Sequence, residues 1–190
     1  MYSNLNQAIR AATIMTENCH DSIILVGLFF VVTAAVVVDA FPNGAPCEVK
    51  DTLLPNTASH GENKNANAKA PYEVVVLGSN GSPATCIAKN TKYTVKLKPV
   101  GQKSFRGFIL QSVDKKNQPV GKFADGDSSY KYLCFGETTA ITHKSGGKKT
   151  EASAEWTIAQ TFDSVHIKAT VVEEVSNYYT GIESKPLSAC

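Results

Sequence analysis

The sequence lacks the short motifs that mark many hydrolases, metalloproteins and nucleotide-binding proteins. It contains no Gly-x-Ser-x-Gly elbow, no His-x-x-x-His pair, no Cys-x-x-Cys pair and no glycine-rich phosphate loop after a predicted strand. Histidine is scarce: beyond residue 40 the chain has only His60, His143 and His166. We therefore expect a protein that is not an enzyme, with no catalytic residue, no metal site and no cofactor.

Neither a strong charge bias nor a helical pattern is present. The formal net charge is +2, well short of the basic surface that nucleic-acid binding requires. Beyond residue 40, no stretch sustains the 3.6-residue apolar period of an amphipathic helix. We expect neither nucleic-acid binding nor a helical fold.

One long apolar run lies near the N-terminus, at residues 23–38. It is shorter than the roughly 20 residues that a membrane-spanning helix needs, and Val38 and Ala40 suit cleavage by signal peptidase after Ala40. The sequence predicts a signal peptide over residues 1–40 and no membrane span after its removal. Translation from Met15 and an uncleaved signal anchor are the alternatives.

Removal of that leader leaves residues 41–190, an ordinary length for one domain. The leader carries one arginine and three acidic residues, so the formal charge rises from +2 to +4. Four cysteines remain, and an even number behind a secretory leader is typical of two disulfides. We therefore expect a secreted, extracellular protein. The sequence alone allows three pairings among Cys47, Cys86, Cys134 and Cys190.

Over residues 71–190 the apolar residues recur with a period of two, as in half-buried strands. In one predicted strand, Tyr93, Val95 and Leu97 alternate with polar side chains. Turn-forming residues separate about eight such runs, and there is no internal repeat or second domain. The sequence predicts an all-β fold, an antiparallel two-sheet sandwich of the immunoglobulin-like type. An irregular arm at residues 41–70 precedes it.

Several short motifs follow one another between Phe105 and Ile158. They are Phe-Arg-Gly-Phe-Ile-Leu-Gln at 105–111, Pro-Val-Gly-Lys-Phe at 119–123, Tyr-Leu-Cys at 132–134, Thr-His-Lys at 142–144, Lys-Lys at 148–149 and Trp-Thr-Ile at 156–158. In this order and spacing the chain resembles the reeler (reelin N-terminal) domains, and in particular the small single-domain insect defence proteins. The resemblance covers residues 41–190. It implies a secreted β-sandwich used in immunity, a Cys47–Cys134 disulfide and, with it, a Cys86–Cys190 disulfide.

Exposed lysines are the candidates for ligand contacts. If they lie on one side of the sandwich, they form a basic surface for phosphate or carboxylate groups of microbial envelope polymers. The alternative is that these lysines decorate solvent-facing positions and protect sheet edges from aggregation. They are Lys92, Lys96 and Lys98 on one predicted strand, Lys115 and Lys116 at one hairpin tip, and Lys148 and Lys149 at another.

Five other positions carry more specific expectations. We expect Trp156 in the core and His143 in a structural role, its ring bonded to neighbouring backbone. Asn80 begins an Asn-Gly-Ser sequon on a predicted turn and is a candidate for N-glycosylation, although the proline after the serine lowers its use. Tyr178 and Tyr179 are the alternative binding residues, as predicted loop aromatics.

Two functions fit these observations. The first is a secreted innate-immunity protein that binds microbial surface polymers and acts against bacteria without catalysis, as the family resemblance implies. The alternative is an extracellular matrix or adhesion module that binds a protein or glycan partner, because reeler domains also occur in large matrix and neuronal proteins.

Overall fold

The structure, a computed structural model, describes residues 43–126 and 128–190. The predicted leader at 1–40 and its cleavage site lie outside these residues. Within the described ranges, ten strands form two antiparallel sheets, and no helix is long and apolar enough to cross a membrane. The predicted all-β sandwich is therefore confirmed.

The two sheets are built from strands of very different length. The smaller sheet contains β1 (Tyr72–Leu77), β2 (Tyr93–Pro99), β4 (Lys122–Phe123) and β7 (Ala152–Thr157). The larger sheet contains β3 (Gly107–Asp114), β5 (Tyr130–Tyr132), β6 (Ala140–His143), β8 (Ser164–Glu174), β9 (Asn177–Glu183) and β10 (Leu187–Ser188). Neighbouring strands run β1-β2-β7-β4 in the smaller sheet and β10-β8-β3-β6-β5 in the larger, where β9 also pairs with β8. Strands β4 and β10 are two residues long, too short to show alternation in the sequence.

The apolar alternation places one face of each sheet in a common core. Val95 and Leu97 of β2 are fully buried, whereas Thr94, Lys96 and Lys98, on the opposite face, are only partly covered. Trp156 of β7 lies opposite Tyr93, with ring centroids 6.3 Å apart, and is 1% exposed. A Cβ atom at residue 121 would lie 2.6 Å from the indole ring, which is too close for any side chain. Residue 121 must therefore be a glycine. Trp156 is a core residue, as expected.

Strand β3 differs from β2 because both of its faces are buried. All seven residues of Gly107–Val113 are buried, whereas a strand with one solvated face alternates. Leu110 belongs to the main core, and Ile109, on the other face, packs in a second apolar cluster with Val49 and Leu53 of the arm. The arm therefore covers the outer face of the larger sheet.

The arm, predicted to be irregular over residues 41–70, contains two short helical segments in its described part. They are a 3-10 turn at Cys47–Val49 and a one-turn α-helix at Thr57–His60. Asn56 caps the α-helix, because its Oδ1 accepts a hydrogen bond of 2.9 Å from the Ala58 N–H. The prediction missed both segments because they are too short to show a periodic apolar stripe.

Two disulfides tie the arm and the C-terminus to the sandwich. Cys47–Cys134 joins the arm to the segment after β5, across 87 residues of sequence. Cys86–Cys190 joins the last residue to the connection between β1 and β2, across 104 residues. These are the two pairs that the family resemblance implies.

Candidate functional site

The arm and the outer face of the larger sheet enclose an apolar cleft with a volume of about 140 Å³. Its two walls come from distant parts of the sequence, so no linear motif marks it. The lining includes Ala45, Pro46, Val49, Pro55 and His60 from the arm, and Phe108, Ile109, Thr170, Val172 and Val175 from the sheet and the β8–β9 turn. The sequence-based expectations did not include this cleft.

Hydrogen bonds and one disulfide fix the arm wall against the sheet. The Thr170 hydroxyl donates to the Leu53 carbonyl at 2.6 Å, and the Ala45 N–H donates to Thr142 Oγ1 at 3.0 Å. The Thr142 hydroxyl in turn donates to the Phe108 carbonyl at 2.8 Å. Together with Cys47–Cys134, these bonds hold the wall in one position and satisfy the polar groups beneath it.

At one end of the cleft, the Arg-Gly-Phe and Thr-His-Lys motifs meet. The Phe108 N–H donates to His143 Nδ1 at 3.2 Å, and the two rings have centroids 6.1 Å apart. A Cβ atom at residue 107 would lie 2.8 Å from His143 Cε1, so glycine is required there. This geometry gives His143 the structural role that we expected from the sequence, on the floor of the cleft.

His60 is a second buried histidine in the lining. Its Nδ1 lies 2.8 Å from the Val175 carbonyl, and its ring meets Tyr178 edge-on with centroids 5.9 Å apart. The contact joins the arm to the β8–β9 turn. The sequence placed His60 in the arm without a role, because its partner is a backbone carbonyl 115 residues away.

Charged side chains border the cleft where β3 begins and β8 ends. Arg106 and Glu174 line both the cleft and a shallow depression beside it, which Lys103, Lys148 and Glu173 also line. The Arg106 Nε lies 3.2 Å from both carboxylate oxygens of Glu174, and the Lys103 Nζ lies 3.0 Å from Glu173 Oε1. The apolar cleft and the charged depression therefore share a rim.

Glu173 has a second partner that holds its carboxylate in place. The Tyr72 hydroxyl donates to Glu173 Oε1 at 2.7 Å and also to the Ser104 carbonyl at 3.0 Å. Burial, together with the hydrogen bond to Glu173, raises the pKa of Tyr72 far above its usual value. Tyr72 therefore stays a neutral donor to this carboxylate.

Lys92, Lys96 and Lys98, on the outer face along β2, face carboxylates of β1 and of the β7 segment. Such exposed pairs contribute roughly 1 kcal/mol or less to stability, but they neutralise much of the positive charge of this face. An anionic ligand must compete with those carboxylates. The pairs are Lys92–Glu155 at 2.9 Å, Lys96–Glu151 at 3.1 Å and Lys98–Glu73 at 3.0 Å.

The two hairpin tips lie at opposite ends of the sandwich. Lys115 and Lys116 directly follow β3, whereas Lys149 pairs with Phe105, just before β3 begins. Because β3 has eight residues, at about 3.3 Å each the tips are roughly 26 Å apart. Lys115 is also paired with Asp163. The structure does not bring the two hairpin tips into one patch.

Lys149 organises its own loop. Its ammonium group donates to the backbone carbonyls of Arg106 at 2.9 Å and Gly147 at 2.8 Å, and also to that of Ser145. Burial lowers the pKa of Lys149. The lysine therefore shapes the β6–β7 loop beside the charged depression, a role that the sequence pattern did not indicate.

The structure also places three further candidates from the sequence analysis, Asn80, Tyr178 and Tyr179. Asn80 is exposed in the turn after β1, where its Oδ1 accepts a hydrogen bond from the Ser82 N–H at 3.0 Å, and its glycosylation stays a prediction. The expectation that Tyr178 and Tyr179 are loop aromatics is wrong: both lie on β9 and are buried, at 6% and 7% exposure. They lie on opposite faces of β9: Tyr179 packs in the main core, and Tyr178 packs against His60 of the arm.

Within residues 43–126 and 128–190, no three His, Cys, Asp or Glu side chains are grouped closely enough to hold a metal ion. The cleft is lined by apolar side chains and by two hydrogen-bonded histidines, and ion pairs lie at its rim.

Comparison with known proteins gives one family and several relatives. The reeler domain model matches residues 51–189. Defense protein l(2)34Fc of Drosophila melanogaster is 30% identical over 159 residues, which are 80% of this chain and 91% of that protein. Putative defense protein 3 of Antheraea mylitta is 28% identical over 160 residues, 83% of this chain and 92% of that protein.

A longer relative and a solved structure share the same segment. Putative ferric-chelate reductase 1 of Danio rerio is 25% identical over 162 residues, 83% of this chain, but the chain spans only 26% of that protein. The crystal structure of the Reelin-N domain of F-spondin superposes with a TM-score of 0.57 at 19% identity, covering 76% of this chain and 98% of that domain. At this identity the likeness shows a shared fold.

Proposed function

The chain belongs to the reeler domain family, and from that premise we propose that it is a secreted defence protein that binds microbial envelope polymers without catalysis. One observation carries this proposal. The match extends over nearly the whole length of two insect defence proteins, but over a minor part of the ferric-chelate reductase. The defence proteins are therefore the better guide to what the whole chain does.

Two disulfides support the extracellular part of the proposal. Disulfides persist in oxidising compartments and are rare in the cytosol. Here they fasten both the arm and the C-terminus, so much of the described chain depends on them. The leader predicted at residues 1–40 supplies the route of export.

Polymer binding would rest on many weak contacts. Apart from Lys149, the candidate lysines are exposed or ion-paired, and each contact that they make with a ligand contributes about 1 kcal/mol or less. A repeating polymer presents many anionic groups at once, so their combined effect raises the overall affinity. Lys92, Lys96 and Lys98 lie along the outer face of β2, and Lys116 and Lys148 lie near the opposite ends of β3.

The test is co-sedimentation of the secreted protein with whole bacteria, and titration with purified lipopolysaccharide and lipoteichoic acid. We expect binding at low salt that weakens towards physiological salt, because exposed charges are screened. The triple variant Lys92→Gln, Lys96→Gln, Lys98→Gln should bind several-fold more weakly, by about 1 kcal/mol in total or somewhat more.

The matched control is the triple variant Lys64→Gln, Lys69→Gln, Lys185→Gln, which removes the same charge from three exposed lysines elsewhere. Equal loss in both triple variants would show that only net charge matters and would remove the β2 face from the proposal. No binding to any of these polymers at low salt would contradict the defence function and favour an adhesion module.

A further inference from the structure

The apolar cleft and the charged depression beside it share Arg106 and Glu174. Around this shared rim, cationic side chains outnumber carboxylates. The cations are Lys103, Arg106 and Lys148, and the carboxylates are Glu173 and Glu174. A ligand that is apolar at one end and anionic at the other matches both parts.

The size of the cleft limits the apolar part of such a ligand. An apolar cavity of roughly 150 Å³ in another protein holds a benzene molecule. With a volume of about 140 Å³, this cleft has room for a group of similar size. It can take a short stretch of alkyl chain but not a bulky ring system.

The interior of the cleft offers little to a polar ligand. The Thr170 hydroxyl is already bonded to the Leu53 carbonyl, and His60 Nδ1 to the Val175 carbonyl. A polar group placed inside would lose its hydrogen bonds to water without equivalent replacements. The polar end of a ligand must therefore stay at the rim, where Arg106 and Lys148 lie.

We propose that this cleft binds a free single-chain anionic amphiphile of the medium-chain fatty acid type. About six carbons of the alkyl chain would occupy the cleft, and the carboxylate would lie beside Arg106 and Lys148. The source is a molecule in solution rather than a chain drawn from a bilayer, because the Arg106–Glu174 ion pair borders the cleft and an anion beside it would remain in contact with water. This inference does not depend on the proposed defence function.

The probe is octanoate, titrated below its micelle concentration and followed by calorimetry and by amide chemical shifts. Octanoate should bind, with shifts concentrated in residues 45–60 and 106–109. Acetate, which has the charge without the chain, should not bind. Octanol, which has the chain without the charge, should bind about fivefold more weakly than octanoate. This factor corresponds to the free energy that one partly screened ionic contact contributes.

Filling the cleft tests the apolar part. Ala45→Leu enlarges a lining side chain and should weaken octanoate binding about tenfold, which is what the burial of roughly two methylene groups contributes. Ala66→Leu is the matched control, because residue 66 is exposed in the arm and does not line the cleft. If Ala45→Leu fails to fold, Val172→Phe narrows the same cleft from the sheet side.

Charge reversal tests the anionic part. Lys148→Glu should weaken octanoate binding about fivefold or more and leave octanol binding unchanged. Lys116→Glu changes the net charge equally at the far end of β3, and it should have no effect on either ligand.

Several outcomes would overturn the inference. No octanoate binding would do so directly. Equal effects of Lys148→Glu and Lys116→Glu, or binding that survives both Ala45→Leu and Val172→Phe, would place the ligand elsewhere. Association with phosphatidylglycerol vesicles in the absence of octanoate binding would identify a membrane surface site instead. Because none of these measurements uses microbial polymers, they leave the test of the defence function independent.

Discussion

The close approach of His143 to Gly107 joins two motifs that are 35 residues apart in sequence. The imidazole occupies the space that a side chain at residue 107 would need, and its Nδ1 takes the hydrogen bond of the Phe108 N–H. In the same way, the Trp156 indole occupies the space that a side chain at residue 121 would need. In both cases a small residue is required because an aromatic ring rests on the backbone.

Gly107→Ala should therefore lower the free energy of unfolding by about 1–3 kcal/mol, the usual cost of overpacking a buried site. The new Cβ atom would lie 2.8 Å from His143 Cε1 and would push the ring away from the Phe108 N–H. Urea denaturation measures the change.

Gly147→Ala is the matched control for this substitution. A Cβ atom at residue 147 meets nothing within 4 Å, and the glycine has no positive φ. Its effect should stay within about 0.5–1 kcal/mol, in either direction. If the two variants changed stability equally, the contact between residue 107 and His143 would not matter.

Among the elements, the arm is the one whose stability depends most on a single covalent bond. Its described part contributes no strand, and its buried apolar side chains Val49 and Leu53 belong to the small cluster that also contains Ile109. Cys134, on the sandwich side, belongs to the same cluster. The disulfide and the apolar contacts therefore act at one place.

Replacing Cys47 and Cys134 together by alanine should detach the arm before the sandwich unfolds. Loss of a bridge that closes a loop of 87 residues costs about 4–5 kcal/mol in the chain-entropy model. Hydrogen exchange should accelerate at residues 45–60, while the amides of β2, β3 and β7 stay protected by their pairing with neighbouring strands.

The double replacement of Cys86 and Cys190 is the control, since that bridge closes a loop of similar length but ties the C-terminus. It should leave exchange in the arm unchanged. Equal acceleration of the arm in both double variants would mean that the disulfides stabilise the molecule only globally.

At the scale of the whole molecule, the alternation of apolar residues was enough to predict the sandwich. Val95 and Leu97 face the core as the period of two requires. The sequence did not show what covers the second face of β3. That cover depends on contacts such as Thr170 with Leu53, across 117 residues, which no local pattern records.

The same limit applied to the candidate site. A sequence shows where lysines occur but not which groups they contact. Lys96 forms an ion pair with Glu151, and Lys149 donates hydrogen bonds to backbone carbonyls. The buried position of Tyr178 and Tyr179 followed from the pairing of β9 with β8, which turn signals alone did not predict. The family resemblance, rather than the spacing of cysteines, supplied the disulfide pairing.

Export is the property of the whole chain that remains to be measured. We expect the mature protein to begin at Phe41 and to be recovered outside the cell, because Val38 and Ala40 suit signal peptidase and the fold carries two disulfides. N-terminal sequencing of the secreted product measures this. Recovery of a membrane-bound form that starts at Met1 or Met15 would contradict it.

The placement of the arm has a consequence for how this scaffold can diversify. The main core contains none of the buried side chains of residues 45–60, because Val49 and Leu53 belong to the second cluster and His60 packs against Tyr178. The arm, which forms one wall of the cleft, is attached to the sandwich by the Cys47–Cys134 disulfide. Substitutions in the arm that spare Cys47, Val49 and Leu53 can reshape the cavity without touching the main core, which makes this short segment a place where selection, or a designed library, can alter ligand preference.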